Sequence, residues 1–216
     1  MSTSEDPSHH WNASEYVANY KDCFNLFQNY IFPVLSQVIN FTPKSKFLEV
    51  GCGSGKWSAC FAIMGMYGVL VDNNPAMLER VRENFPAISK SFFLIEDDAR
   101  TLEKVTNNSF DLIFSEGLLE HFNKEERERV IINMASKMKH TDSCLLLIVP
   151  HDYKDTHGGE HRWENLEEFS REIGETKQFN YVIPIKFVED GSEEVPWLGV
   201  LAYKGEINPL ERISSK

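Results

Sequence analysis

The sequence has little with which to span a membrane, staple itself or grip a polyanion. Its longest apolar runs, such as residues 145–149, fall far short of the ~20 residues that a membrane-spanning helix needs. Cysteine is scarce: Cys23, Cys52, Cys60 and Cys144 are the only four, and no two have close metal-ligand spacing. That usage suits buried free thiols in a reducing compartment. Positive charge is in deficit, with 22 Lys and Arg against 33 Asp and Glu and a net charge of −11. Such a field repels phosphate backbones, and no basic cluster offsets it, so nucleic acid is not an expected partner. Residues 1–10 are polar and hold no apolar targeting run, which leaves a cytoplasmic protein as the expectation. Repeats and low-complexity tracts are lacking as well.

What is present is core material. The 216 residues are 42% hydrophobic and 12% aromatic, and a domain of this length hides roughly 70% of its unfolded surface. Tyr16, Tyr20, Phe24, Phe27 and Ile31 recur at helical spacing from about residue 14 and predict a helix ending near Pro33. A shorter helix is expected over 34–39. The aromatics at this end, Trp11, Tyr16 and Tyr20, have two readings: docking on the core, or roofing a ligand pocket. The organisation expected is an N-terminal helical segment over 1–40 serving as a lid, one domain over 41–205, and a tail over 206–216.

From residue 47 onward short apolar segments alternate with helical ones. Strands are predicted at 47–50, 68–71, 92–95, 110–114 and 145–149, and helices at 56–66, from Pro75, and at 124–139, where acids come early and bases late. This order predicts a largely parallel sheet covered on both faces. A helix at 163–173 follows, then strands at 179–188 and 197–203. Only a turn around 191–194 separates the last two, too short for a helical crossover, so they are expected to be antiparallel.

Ligands of such sheets sit beyond the C-terminal strand ends, where strand order reverses. The first strand runs into Gly51, Gly53 and Gly55, the first, third and fifth positions of a glycine turn whose sixth is Lys56. A dinucleotide fingerprint places glycine at the sixth position, and a triphosphate loop ends in lysine and a hydroxyl residue; neither is present. Asp72 ends the second strand, where a carboxylate can accept from two ribose hydroxyls. Asp98 follows the third, within reach of an amino-bearing base, with Asp97 as its rival.

These stretches together resemble the class I S-adenosylmethionine-dependent methyltransferases. The resemblance rests on Leu48-Glu49-Val50-Gly51-Cys52-Gly53-Ser54-Gly55, on Val71-Asp72-Asn73-Asn74-Pro75-Ala76-Met77, on Asp97-Asp98-Ala99-Arg100 and on Phe110-Asp111-Leu112-Ile113-Phe114-Ser115. It implies a Rossmann-like, doubly wound α/β fold: a mostly parallel seven-stranded sheet with an antiparallel C-terminal strand and helices on both faces. It also implies S-adenosyl-L-methionine as cofactor. Glu49 and the backbone of Gly51, Cys52 and Gly53 would hold the methionine end and Asp72 the ribose hydroxyls. Asn73 would lie beside the adenine, Asp98 would accept from its amino group, the Ala99 amide would face a ring nitrogen, and Ser115 would line the methionine side by its backbone.

Methyl transfer from a sulfonium is an in-line displacement in which positioning and exclusion of water supply much of the effect. A base is needed only where the acceptor must lose a proton. His121, with a reference pKa of ~6.5, is the candidate. The triplet Leu119-Glu120-His121 is similar to one in quinone-biosynthesis O-methyltransferases, where a Glu-His pair and an upstream glutamate hold a divalent metal. Here Gly117 occupies that upstream position and Glu116 is displaced by one residue, so no metal is expected. Trp11, Tyr16, Tyr20, Glu116, His121, Tyr153 and His157 are the candidate pocket residues, and Trp57 is read as packing locally. The expected function is methyl transfer to an oxygen or nitrogen of a small-molecule acceptor. The alternatives are a protein methyltransferase and a non-catalytic cofactor-binding regulator or scaffold. Monomer and homodimer stay open.

Overall fold

The computed structural model describes residues 20–87, 89–139, 142–150, 161–186, 197–206 and 208. Seven strands form one sheet: β1 (Lys46–Val50), β2 (Tyr67–Asp72), β3 (Phe92–Glu96), β4 (Leu112–Glu116), β5 (Cys144–Pro150), β6 (Tyr181–Lys186) and β7 (Trp197–Tyr203), in the order β3-β2-β1-β4-β5-β7-β6. The pairs from β3 to β5 are parallel, while β7 runs antiparallel to both β5 and β6. The chain winds outward from β1 to β3 and then returns to place β4 on the other side of β1. Strand order therefore reverses between β1 and β4, which puts a ligand crevice at their C-terminal ends.

The central strands read as nearly continuous apolar runs because both of their faces are covered. Alternation along β1 and β4 sends Phe47, Leu112 and Phe114 to one face and Leu48, Val50 and Ile113 to the other. The first face is covered by α1 (Tyr20–Leu26), the π-helical turn Phe27–Ile31, α2 (Phe32–Val38), α3 (Lys56–Ile63) and α4 (Pro75–Asn84). The second is covered by α5 (Lys124–Lys137) and α6 (Leu166–Glu175). Asn74 caps α4 ahead of Pro75, and α5 opens with a reciprocal capping box between Asn123 and Glu126. Pro184 lies in β6, an edge strand, where a missing amide is tolerated. Among the described residues, no helix is long and apolar enough to cross a membrane.

Several boundaries differ from expectation for identifiable reasons. The N-terminal helix does not end near Pro33. The π-helical turn, in which the Phe32 amide donates to the Phe27 carbonyl, widens the helix just ahead of the proline. Pro33 then occupies the first turn of α2, where its missing amide costs least. Phe27, Ile31, Leu35 and Val38 are buried along this segment, and Phe27 meets Phe61 edge-on at 5.1 Å. The described part of residues 1–40 is thus docked on the core, and the residues before 20 lie outside the described ones. Strand β4 begins two residues later than predicted because Phe110 makes only a single bridge to Met138. Asp111 is meanwhile committed to the Lys46 amide at 2.8 Å and to Lys139 at 2.7 Å. Ser115 and Glu116 accordingly lie inside the strand, at its C-terminal end. Helix α3 ends at Ile63 rather than at residue 66, and α6 starts after the Asn165 cap rather than at Trp163.

Candidate active site

The turn after β1 is fastened from beneath. The amides of Gly51 and Cys52 both donate to the Val71 carbonyl, at 2.8 and 3.0 Å, and Gly55 donates to Cys52 at 2.9 Å. Gly53 sits at φ +50°, and a Cβ built on it meets nothing within 4 Å. The backbone there is open to whatever lies above the turn. Gly55, at φ +74°, is the opposite case, since a Cβ would stand 3.0 Å from Val81 Cγ2.

Asp72 ends β2 beside this turn. One carboxylate oxygen accepts from the Gly53 amide and the other from the Asn74 amide, each at 2.9 Å. Burial nonetheless raises its pKa above the usual carboxylate value, with these amides pulling the other way. Asn73 follows it between the strand and α4.

Beyond β3 the two neighbouring acids separate into different roles. Asp97 is buried, and its carboxylate accepts from the amides of Asp98 at 2.9 Å and Lys104 at 2.8 Å, folding the following loop. Asp98 points outward and is gripped by Arg100, whose Nη2 lies 2.6 Å from Oδ2 and whose Nη1 lies 3.1 Å from Glu126. The guanidinium holds the Asp98 carboxyl below its ordinary value. Ala99, next in the chain, is buried.

At the ends of β1 and β4, polar groups gather on the α3 side. Glu49 is 2% exposed and accepts from the Ser58 hydroxyl. Burial pushes its carboxyl up to about 8, with Ser58 opposing and Glu116 adding to the rise. Glu116 accepts from Trp57 Nε1 at 2.9 Å and pairs with Lys56 Nζ at 3.2 Å. Trp57 therefore does more than pack locally: it ties the start of α3 to the end of β4. On the opposite face of β4 the Ser115 hydroxyl is buried without a hydrogen-bond partner among the described residues.

The chain then continues beyond the end of β4. Leu118 packs over Gly51, within 2.9 Å of where a Cβ there would stand. The 3-10 turn Leu119–His121 follows. Glu120 is buried, its Oε1 lies 3.9 Å from His121 Nε2, and desolvation pushes its carboxyl up to about 8. The Glu120 carbonyl accepts from the His161 amide at 3.1 Å. His161 stands edge-on to Trp163 at 4.6 Å, and burial lowers its pKa. Trp163 is itself scaffold: its indole donates to Glu172 at 2.8 Å and its face meets Arg127, which is 3% exposed in its side chain and paired with Glu172 at 2.6 Å.

Glu49, Gly51, Cys52, Gly53, Asp72, Ser115, Glu116 and His121 thus lie at or next to the C-terminal ends of β1, β2 and β4. Asn73, Asp98 and Ala99 follow β2 and β3. Trp11, Tyr16, Tyr153 and His157 lie outside the described residues, as does the side chain of Tyr20, whose backbone opens α1. Sequence reasoning missed Ser58, Arg100 and the partnership of Lys56 and Trp57 with Glu116. The only signal for the last was a basic residue where a dinucleotide turn has glycine.

Residues 47–141 match the family model described as a methyltransferase domain. Among solved structures, mitomycin 7-O-methyltransferase MmcR aligns at a TM-score of 0.59 and 17% identity, over 84% of this chain and 52% of that one. A SAM-dependent methyltransferase from Aquifex aeolicus aligns at 0.60 and 15% identity, over 86% of this chain and 98% of that one. The CurJ carbon methyltransferase aligns at 0.65 and 12% identity, over 93% of this chain and 61% of that one. The chain thus spans about half the length of the mitomycin enzyme. No curated protein matches it. The match covers residues 47–141 and, with the strand order, makes this part of the chain similar to a methyltransferase domain, a kind of domain that implies S-adenosyl-L-methionine as cofactor.

Proposed function

We propose that this protein transfers the methyl group of S-adenosyl-L-methionine to an oxygen or nitrogen of a small-molecule acceptor. The observation that carries the reading is the half-buried Asp72 carboxylate bonded to the amide of an open Gly53 at the point where strand order reverses. A half-buried acid there fits a ligand with hydroxyls to donate, and the space above Gly53 fits a ligand that lies against backbone. The residues present therefore suit the cofactor.

In this assignment Glu49 and the turn Gly51, Cys52 and Gly53 hold the methionine end, and Asp72 holds the ribose hydroxyls. Asn73, Asp98 and Ala99 border the adenine, with Arg100 yielding part of its grip on Asp98, and the Ser115 backbone lines the methionine side. When bound, the cofactor supplies an electrophilic methyl group on a sulfonium. The chain's own task is to hold, align and dehydrate the two reactants. Leu118 and the indole of Trp57 provide apolar surface beside the turn. Removal of the acceptor proton falls to the turn that carries His121. Trp11, Tyr16, Tyr20, Tyr153 and His157 are proposed as the rim that closes over the acceptor, within a cytoplasmic protein.

The test is transfer of radiolabel from methyl-labelled S-adenosylmethionine in the presence of a low-molecular-weight cell extract. Label in small products supports the reading. Label in a discrete protein band instead assigns a protein methyltransferase. Tight cofactor binding with no transfer to either assigns a non-catalytic binding protein.

A further inference from the structure

Glu120 is a buried carboxyl to which the cofactor assignment gives no task. It is 7% exposed, and its Oε2 has no hydrogen-bond partner among the described residues. Leaving a buried acceptor unmet costs roughly 1–3 kcal/mol, and more when it is charged. The carboxyl is aimed at the end of β4: Oε1 lies 3.5 Å from where a Cβ on Gly117 would stand and 3.9 Å from His121 Nε2.

Its surroundings indicate what meets it. Leu118, two residues before, covers Gly51, so the turn bearing Glu120 is fastened against the glycine turn. The segment that returns after β5 closes on the same residue through the His161 amide. Lys56 Nζ and Trp57 Nε1 direct their donors to Glu116. The position thus adjoins the proposed methyl-donor site and, among the described residues, lacks a hydrogen-bond donor for one oxygen.

We infer that Glu120, oriented by His121, receives the O–H or N–H of the acceptor, and that the acceptor is neutral, not anionic, at its reacting group. The inference rests on the proposed methyl transfer. The acceptor's lone pair forms the new O–C or N–C bond, the S–C bond breaks with its electron pair remaining on sulfur, and the acceptor's proton passes to the Glu120 carboxylate. The sulfonium charge is discharged and atoms balance without an oxidant or metal. An anionic acceptor is disfavoured because its reacting group would lie beside both Glu116 and Glu120. Among the described residues, the titratable groups that act on the Glu120 carboxyl are Glu116 from the end of β4 and His121 from its own turn, while His161 meets Glu120 through backbone only. Burial, with Glu116 in support, raises the carboxyl to about 8. The basic form therefore accumulates toward mildly alkaline pH, as a proton acceptor working near neutrality requires.

The experiment measures label transfer to small products of the extract from pH 6 to 9 for wild type, Glu120→Gln, Glu120→Asp and His121→Asn. Affinity for S-adenosylhomocysteine is measured calorimetrically on each protein. The expected wild-type rate rises more than about tenfold between pH 6 and 8. Glu120→Gln keeps its S-adenosylhomocysteine affinity within about twofold and loses transfer by about 100-fold or more. Glu120→Asp retains part of the rate and the pH dependence, and His121→Asn moves the midpoint of the profile with a smaller loss. Transfer by Glu120→Gln at the wild-type rate and with the wild-type profile overturns the inference. So does a loss of S-adenosylhomocysteine affinity that parallels the loss of rate, which makes Glu120 a structural residue. Wild-type protein that binds S-adenosylhomocysteine and labels no small product defeats the proposed methyl transfer itself, and this inference falls with it.

Discussion

Raising the pH from 6.5 to 8 should destabilise this protein, and Glu49→Gln should remove part of that loss. Glu49 is fully buried beside Ser58, and its carboxyl is raised from 4.5 to about 8. In the unfolded chain the same group is ionised above its ordinary value, so between the two values the folded state binds the extra proton. Stability then falls as pH rises, with a limiting slope of about 1.4 kcal/mol per pH unit. Integrated from pH 6.5 to 8 for a folded value of about 8, one such group gives a loss of about 1.6 kcal/mol. For a chain of this length that is ~3–6 °C in Tm. Glu120, raised in the same way, adds a loss of the same sign. His161, lowered by burial, acts in the opposite sense, but its stabilisation grows with pH mainly below its ordinary value of 6.5, so little of it falls in this window. Scanning calorimetry at fixed ionic strength should show wild-type Tm falling across the window and the Glu49→Gln profile falling less steeply, the gap widening toward pH 8. Parallel profiles, or a wild-type Tm that climbs with pH, would refute the assignment of a neutral Glu49 in the fold.

The glycine turn separates folding from binding. Gly53→Ala places a methyl group in open space and costs about 1–2 kcal/mol through its left-handed backbone, so it should fold while losing at least tenfold in S-adenosylhomocysteine affinity by calorimetry. Gly55→Ala drives its Cβ to 3.0 Å from Val81 and should show the larger drop in Tm of the two. Arg127→Ala strands Glu172 and unseats Trp163, and urea unfolding should report a loss of about 3–5 kcal/mol. Trp57→Phe removes the indole donor to Glu116, and the same measurement should show a loss of about 1–2 kcal/mol.

The sheet was legible because its strands announce themselves. Residues 145–149 are apolar throughout, as a strand covered on both faces must be, and β5 occupies Cys144–Pro150. The short link between 188 and 197 required an antiparallel pair, which β6 and β7 form. Pro33 misled because a proline reads as a stop, whereas a π-helical turn before it gives the ring room. The start of β4 was displaced because Asp111 is drawn to the Lys46 amide, a partner 65 residues away. The same distance in sequence hid the polar part of the site. Trp57 and Glu116 are 59 residues apart, and Arg127 and Glu172 are 45 apart, yet each pair is one hydrogen-bonded unit. Nothing local in either segment signals its partner. The choice between Asp97 and Asp98 likewise depended on which side chain the following turn consumes, and the Lys104 amide takes Asp97.

The most direct test of the central claim is calorimetric titration of the purified, cofactor-stripped protein with S-adenosylmethionine and S-adenosylhomocysteine, with NAD as control and Asp72→Ala in parallel. The account predicts saturable micromolar binding of both sulfur compounds, none of NAD, and at least tenfold weakening in Asp72→Ala. Folded wild-type protein that binds neither sulfur compound, or an Asp72→Ala protein that binds them with undiminished affinity, would contradict it.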